Sequence, residues 1–225
     1  MNAFFFGIYP YIALAIFFLG SLVRFEREQY TWKTDSSQLL HRGNLRLGSN
    51  LFHIGIISLF FTHLVGLLTP KEVYHAFGLT TEAKQLMAIV GGTLLGIMCF
   101  IGMLILIHRR MSNARIAAVT KPMDKFLYLW LFATLCLGLI SIVFSLDHLD
   151  GHVMVLLGMW AQKIVTLQGS DAAVIITGVP TIYKIHMFMG MTLFVIFPFT
   201  RLVHVWSGFG AVTYLSRAWQ LVRTR

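Results

Sequence analysis

Four histidines lie inside apolar stretches of this sequence and could bind a metal or a cofactor there: His53, His63, His186 and His204. His186 and His204 are eighteen residues apart. That spacing is five turns of an α-helix, so on one helix both imidazoles would face the same way. Their rise would be about 27 Å, close to the roughly 30 Å of membrane hydrocarbon. An imidazole in hydrocarbon is costly without a partner, so these positions indicate a binding role.

The other five histidines lie in loops or at the ends of apolar stretches and need no special role: His41, His75, His108, His148 and His152. Any single one of the four within apolar stretches could be a hydrogen-bonded packing residue. Two pairs on two helices favour a shared ligand instead.

The composition predicts an all-α integral membrane protein. Of the 225 residues, 57% are hydrophobic and only 12% are charged, whereas a soluble domain carries about 25% charged residues. Five stretches are long enough to cross a bilayer, at about 3–23, 49–69, 86–107, 126–146 and 183–206. We therefore expect one membrane domain over 1–225, a bundle of five transmembrane helices. The first stretch lacks a basic leader and a cleavage site, so we expect a retained helix.

The basic residues predict the orientation of the bundle. Fourteen of the 18 lysines and arginines fall in 24–47, 108–125 and 201–225. The positive-inside rule then places those segments and the C-terminus in the cytoplasm, and the N-terminus outside. The net charge of +9 is explained by this topology, so no nucleic-acid partner is expected. Asp147 to Ile182 forms a long outer loop, whose part 153–165 is either an interfacial helix or a plain structured loop.

This topology pairs the four histidines at two depths. His53 and His204 would lie at the inner side, and His63 and His186 at the outer side. Each pair is suited to clamp a haem between two helices, because neutral imidazole is a good iron ligand. Zinc would need further ligands, and a proton relay would need carboxylates, neither of which occurs at these depths. The hypothesis is therefore two bis-histidine b-type haems.

The spacings of the two pairs do not match on straight helices. His53 and His63 are ten residues apart, a rise of about 15 Å against about 27 Å on the partner helix. Tilted haems, helix tilt or a bend at Pro198 could absorb the difference. Gly55, Gly66 and Gly190 could admit a flat macrocycle, although helix packing explains such glycines equally well.

Three further residues are candidates for polar contacts with cofactor or substrate. Arg109 and Arg110, at the inner end of the third stretch, could pair with haem propionates, or could simply be topology charges. Lys84, at the outer end of that stretch, could bind a quinone carbonyl together with Glu82 and Gln85. A solvated lysine at the membrane interface is the alternative.

Several motifs resemble the gamma subunit of the membrane-bound respiratory nitrate reductase over essentially the whole length. The matching motifs are Ile-Tyr-Pro-Tyr-Ile-Ala at 8–13, Gln-Tyr-Thr-Trp at 29–32, Ser-Asn-Leu-Phe-His-Ile-Gly at 49–55, Leu-Thr-Pro at 68–70, Gly-Met-Thr-Leu-Phe at 190–194, Phe-Pro-Phe at 197–199, Arg-Leu at 201–202 and Gln-Leu-Val-Arg at 220–223.

This resemblance implies a dihaem cytochrome b subunit in the bacterial cytoplasmic (inner) membrane. His53 and His204 would ligate the inner haem, His63 and His186 the outer haem, and Lys84 would bind the quinol, either menaquinol or ubiquinol. Electrons would pass through both haems to the iron–sulfur beta subunit, and the molybdenum-containing alpha subunit would reduce nitrate. The basic inner loops and the tail 207–225 would dock these partners.

Two alternatives stay open at this point. Related cytochrome b anchors serve other quinol-linked reductases, including sulfur-metabolising complexes. A haem-free membrane anchor or transporter would use the histidines only for packing, and it would show no visible absorbance when purified and folded.

Overall fold

The computed structural model describes residues 1–32 and 43–208, and its regular structure within those ranges is helical throughout. A π-helical stretch, Ala3–Ile8, leads into the first α-helix. The α-helices are α1 (Tyr9–Arg27), α2 (Leu45–Leu68), α3 (Lys71–Ala76), α4 (Thr81–Ser112), α5 (Ala114–Ala118), α6 (Pro122–Ser145), α7 (His152–Val165), α8 (Gly169–Ile175) and α9 (Thr181–Ile196).

Within the described ranges, five helical segments are long and apolar enough to cross a membrane, as predicted. They are Ala3–Arg27, Leu45–Leu68, Thr81–Ser112, Pro122–Ser145 and Thr181–Phe199. The third begins earlier than predicted because the Thr80 hydroxyl caps it by accepting a hydrogen bond from the Ala83 amide. A five-helix, multi-pass membrane protein follows from these lengths and compositions.

The fifth segment is not the continuous helix over 183–206 that the sequence predicts. Helix α9 ends at Ile196, tight 3₁₀ turns follow at Phe197–Phe199 and Arg201–Val203, and Thr200 between them is extended. Pro198 causes the break because it has no N–H and its ring clashes with the carbonyl one turn earlier. His204 is therefore not five helical turns from His186.

Close packing among the long helices runs from α2 to α4, α6, α9 and α1 in turn. Glycines allow the closest approach, that of α2 to α4. A Cβ on Gly55 would lie 2.8 Å from the Cys99 amide nitrogen, and one on Gly102 would collide with the Phe52 backbone. The backbones therefore meet directly beside His53, which fixes the position of that residue on a rigid helix pair.

The two ends of the bundle differ in charge and in covering elements. Arg24, Arg109, Arg110 and Arg201 lie at one end, here named the basic end. Helices α7 and α8 cover the opposite end, where Trp160 donates a hydrogen bond of 2.9 Å to the Phe6 carbonyl within the π-helical stretch. Of the two alternatives for 153–165, a helix or a plain structured loop, the structure has the helix, as α7 with one face buried.

Some predicted features lie outside the described residues. They are Lys33 and Arg42 among the basic residues, and 209–225, which is nearly all of the predicted docking tail.

Candidate functional site

The four histidines meet as two pairs between α2 and the fifth segment. The ring centroids of His53 and His204 are 6.3 Å apart, with the ring planes at 71°. The centroids of His63 and His186 are also 6.3 Å apart, with the planes at 48°. These are the two pairs that the topology argument predicted.

Each of the four imidazoles is oriented by a backbone carbonyl. Nδ1 of His53 lies 2.7 Å from the Ser49 carbonyl oxygen, and Nδ1 of His63 lies 2.7 Å from that of Leu59. The partners of His186 and His204 are the carbonyls of Thr134 at 3.1 Å and Arg201 at 2.5 Å. A carbonyl oxygen only accepts, so the proton is on Nδ1 and the lone pair on Nε2 is available to a metal.

The pairs fit an iron that already has other ligands. A bond between a metal and an imidazole nitrogen is about 2 Å long, so two imidazoles on opposite sides of one iron place their centroids about 6 Å apart. Among the described residues there is no group of three or more His, Cys, Asp and Glu side chains that could hold a metal ion. Two imidazoles alone do not make a tetrahedral zinc site. They do suit a haem, whose macrocycle supplies the four remaining ligands.

The break after α9 removes the mismatch in spacing. On α2, the ten residues from His53 to His63 rise about 15 Å. On the partner side, α9 also continues for ten residues after His186 and then ends at Ile196, so its helical rise from His186 matches that between His53 and His63. The turns over 197–203 then change direction, so His204 meets His53 without the additional rise of a straight helix.

Glycines near the histidines play different roles. A Cβ on Gly138 of α6 would lie 2.9 Å from Cε1 of His186, so only glycine lets this imidazole seat against α6. Gly55 faces Cys99 and serves helix packing. A Cβ on Gly66 or Gly190 would have no atom within 4 Å, which leaves the backbone there open to a flat ligand. Neither Gly138 nor Thr134 lies near a histidine in the sequence, so residue spacing gives no signal for their contacts with His186.

Lys84 joins α4 to the end of α2 that carries His63. Its Nζ donates a hydrogen bond of 2.9 Å to the Gly66 carbonyl, three residues after His63, and lies 4.1 Å from the centroid of the Tyr74 ring. Of its two predicted companions, Glu82 is exposed, whereas Gln85 is buried against Gly151. Lys84 is therefore anchored, and is not a freely solvated side chain.

Tyr128 links two arginines at the basic end. The Arg110 guanidinium lies 4.9 Å from the centroid of the Tyr128 ring and donates a hydrogen bond of 3.0 Å to the Thr120 hydroxyl. Arg201 donates to the Tyr128 hydroxyl at 3.1 Å, while its own carbonyl accepts from His204. Arg109 is 7% exposed and lines a cavity of about 420 Å³ with Asn44 and His108.

Arg201 thus contacts both His204 and Tyr128, the residue that also contacts Arg110, whereas from the sequence it is predicted only as a charge that sets topology. The feature of the sequence that could have indicated this contact is the position of Arg201, three residues before His204.

Comparisons with known proteins agree over the whole chain. The family described as "Nitrate reductase gamma subunit" matches residues 2–225. The respiratory nitrate reductase 1 gamma chain of Escherichia coli (strain K12) is 46% identical over 225 residues, covering 100% of this chain and 98% of that protein. The nitrate reductase gamma chain of Bacillus subtilis (strain 168) is 34% identical over 219 residues, covering 97% of this chain and 96% of that protein.

Proposed function

Because this chain belongs to the family of nitrate reductase gamma subunits, we propose that it is the quinol-oxidising cytochrome b subunit of a respiratory nitrate reductase. It would hold two b-type haems, take electrons from quinol near the outer face of the membrane, and deliver them to partner subunits at the inner face. The two histidine pairs, each at 6.3 Å between centroids, are the observation that carries this proposal.

The proposal assigns the inner haem to His53 and His204 and the outer haem to His63 and His186. When bound, the haems would supply one-electron transfer across the bundle. The chain's own part is to place the imidazoles: the hydrogen bonds from the four Nδ1–H groups to backbone carbonyls fix the orientation of each ring and direct its Nε2 towards where a haem iron would lie. Arg110 and Arg201, joined through Tyr128 beside His204, are proposed to neutralise the propionates of the inner haem.

The proposal also assigns the basic end to the cytoplasm and the N-terminus to the outer side of a bacterial inner membrane. The concentration of arginines at that end supports this orientation. Lys71→Cys, on the opposite end, is expected to react with a membrane-impermeant maleimide in intact spheroplasts, whereas Arg115→Cys is expected to react only in inverted vesicles. The reverse pattern would contradict the orientation.

The quinol is proposed to bind beside Lys84 and His63. An ammonium group has three donors, and the Gly66 carbonyl takes one of them. The remaining donors can bind a quinol oxygen within one helical turn of the outer ligand. Oxidation of one quinol to quinone releases two electrons and two protons. Release of these protons outside, while the electrons move inward, would charge the membrane.

Partner subunits complete the reaction in this proposal. The family name implies association with the other subunits of a nitrate reductase. An iron–sulfur beta subunit would take the electrons at the basic end, and a molybdenum-containing alpha subunit would reduce nitrate. Residues 207–225 are proposed to form the cytoplasmic docking tail.

The quinol assignment is tested by Lys84→Ala in the purified complex. We expect quinol to reduce the haems at least about tenfold more slowly, since a charge-assisted hydrogen bond is worth about 1.5–3 kcal/mol. Dithionite, which needs no quinol site, should still reduce both haems fully. Stopped-flow absorbance measures both reactions.

Lys71→Ala is the matched control, because it removes an exposed lysine from the same end of the bundle. Its rate of reduction by quinol should equal that of the unmodified complex. A normal quinol rate in Lys84→Ala would remove Lys84 from the site.

A further inference from the structure

The break at Pro198 leaves two backbone carbonyls without their regular helical donors. In a continuous helix the Leu202 amide would serve the Pro198 carbonyl, and the His204 amide would serve that of Thr200. Here the Leu202 amide donates to the Thr200 hydroxyl, and the His204 amide donates to the Arg201 carbonyl. Pro198 and Thr200 are buried, so their carbonyl oxygens need other donors in a membrane.

Arg24 of α1 supplies those donors. Its Nη1 lies 2.6 Å from the Pro198 carbonyl oxygen and 2.8 Å from that of Thr200. Its Nη2 donates a hydrogen bond of 3.0 Å to the Thr31 carbonyl, which ties the guanidinium to the segment after α1. Such charge-assisted bonds are about twice as strong as neutral ones.

The same face of α1 contacts the rest of the break. Phe17, Gly20, Ser21 and Arg24 recur at helical spacing, and we name them the α1 brace. The Phe17 ring lies 4.7 Å from the centroid of Phe197 and 5.2 Å from that of Trp206. A Cβ on Gly20 would lie 2.9 Å from Cγ of Pro198.

Ser21 completes the brace on the far side of the break. Its hydroxyl accepts a hydrogen bond of 3.3 Å from the Trp206 indole, two residues after His204. The brace therefore contacts the chain before the break, at the break and beyond His204.

We propose that Arg24 is a positioning residue for the inner haem ligand: it fixes the non-helical backbone between α9 and His204, and so sets where the His204 imidazole stands relative to His53. This inference rests on the proposed function, because haem is the reporter of the position of His204. Within residues 1–32 and 43–208, Arg24 donates to the carbonyls of Pro198 and Thr200 and forms no hydrogen bond with either imidazole, so it acts on His204 through the backbone.

The test compares Arg24→Ala with Arg27→Ala in the purified complex. Both remove one arginine from the last turn of α1, so their effects on topology are the same, but Arg27 is exposed. Haem is counted per chain, and low-temperature visible and electron paramagnetic resonance spectra are recorded with redox titration. The inner haem is identified as the signal that disappears in His204→Ala.

We expect Arg24→Ala to lose the inner signal or shift its spectrum and midpoint potential, with the outer signal unchanged. Arg27→Ala should match the unmodified complex. Arg24→Lys, which keeps the charge but not the two-pronged guanidinium, should give a smaller shift of the same signal. Two unaltered signals in Arg24→Ala would overturn the inference.

A second variant decides the matter if Arg24→Ala does not assemble. Gly20→Val pushes on Pro198 while leaving every hydrogen bond of Arg24 in place. A change confined to the inner signal supports positioning through the break, and equal loss of both signals overturns it. Fewer than two haem signals in the unmodified complex would instead contradict the proposed function itself.

Discussion

The orientation of single imidazoles decides what this bundle can bind. The Thr134 carbonyl and Gly138 position His186 from α6, a helix that contributes no histidine to either pair. Position 138 therefore has to be glycine for His186 to lie where it does, because a side chain there would occupy the space of the imidazole ring.

Gly138→Val is therefore expected to displace His186 and to weaken the outer haem selectively. Overpacking of this kind costs about 1–3 kcal/mol, or roughly fivefold to 150-fold in an equilibrium constant. The haem content of the purified chain and its reduced-minus-oxidised spectrum measure the effect. Gly91→Val is the control, since a Cβ there has no atom within 4 Å. Equal haem content in the two variants would show that Gly138 does not seat the ligand.

The sequence predicted which histidines lie together, but not the residues that orient them, and the role of the four histidines as haem ligands stays a prediction. Histidines in apolar stretches are conspicuous because imidazole is costly in hydrocarbon. The carbonyls of Ser49, Leu59, Thr134 and Arg201 carry no such signal, because every residue has one. Arg110 and Lys84 remain predictions, and the structure adds only their contacts with Tyr128 and Gly66.

Among the helices, α2 and α4 form the most closely packed pair. Gly55 and Gly102 let the two backbones touch on both sides of His53 in sequence, at Cys99 and Phe52. This close packing holds α2 against α4 on both sides of His53, so the backbone that carries this histidine has little freedom to shift.

Gly102→Ala is expected to separate α2 from α4 and to destabilise the chain by about 1–3 kcal/mol, because the added methyl group meets the Phe52 backbone, which cannot move aside. The inner haem, which His53 ligates in our proposal, should be lost at a lower temperature. Thermal melts followed at the haem absorbance measure this. Gly92→Ala should melt normally, since its methyl group meets only the flexible end of Ile142 at 3.3 Å. Identical melting of both variants would argue against this role for Gly102.

The elements themselves were predictable to different degrees. Hydropathy located five crossings because a bilayer demands about 20 apolar residues of each. It did not locate the end of α9, since proline is tolerated in membrane helices where other groups satisfy the backbone. The group that does so here is Arg24, 174 residues away in sequence from Pro198, and sequence spacing gives no hint of that contact.

At the scale of the whole molecule, the chain holds two histidine pairs at different levels of the helix bundle, and we propose that each pair binds a haem. The α2–α4 pair carries one histidine of each site, and α9 with its following turns carries the other. The predicted resemblance to nitrate reductase gamma subunits is confirmed by the family match over 2–225. Electron transfer between the two ends is the function that this arrangement and that family membership support together.

Haem count per chain in the purified protein tests the central claim most directly. We expect the dithionite-reduced minus oxidised visible spectrum to give two b-type haems per chain, both also reduced by added quinol. His63→Ala or His186→Ala should remove one haem and the reaction with quinol, and should leave the other haem in place. A folded chain without haem, or a His63→Ala variant that keeps both haem signals, would contradict the account.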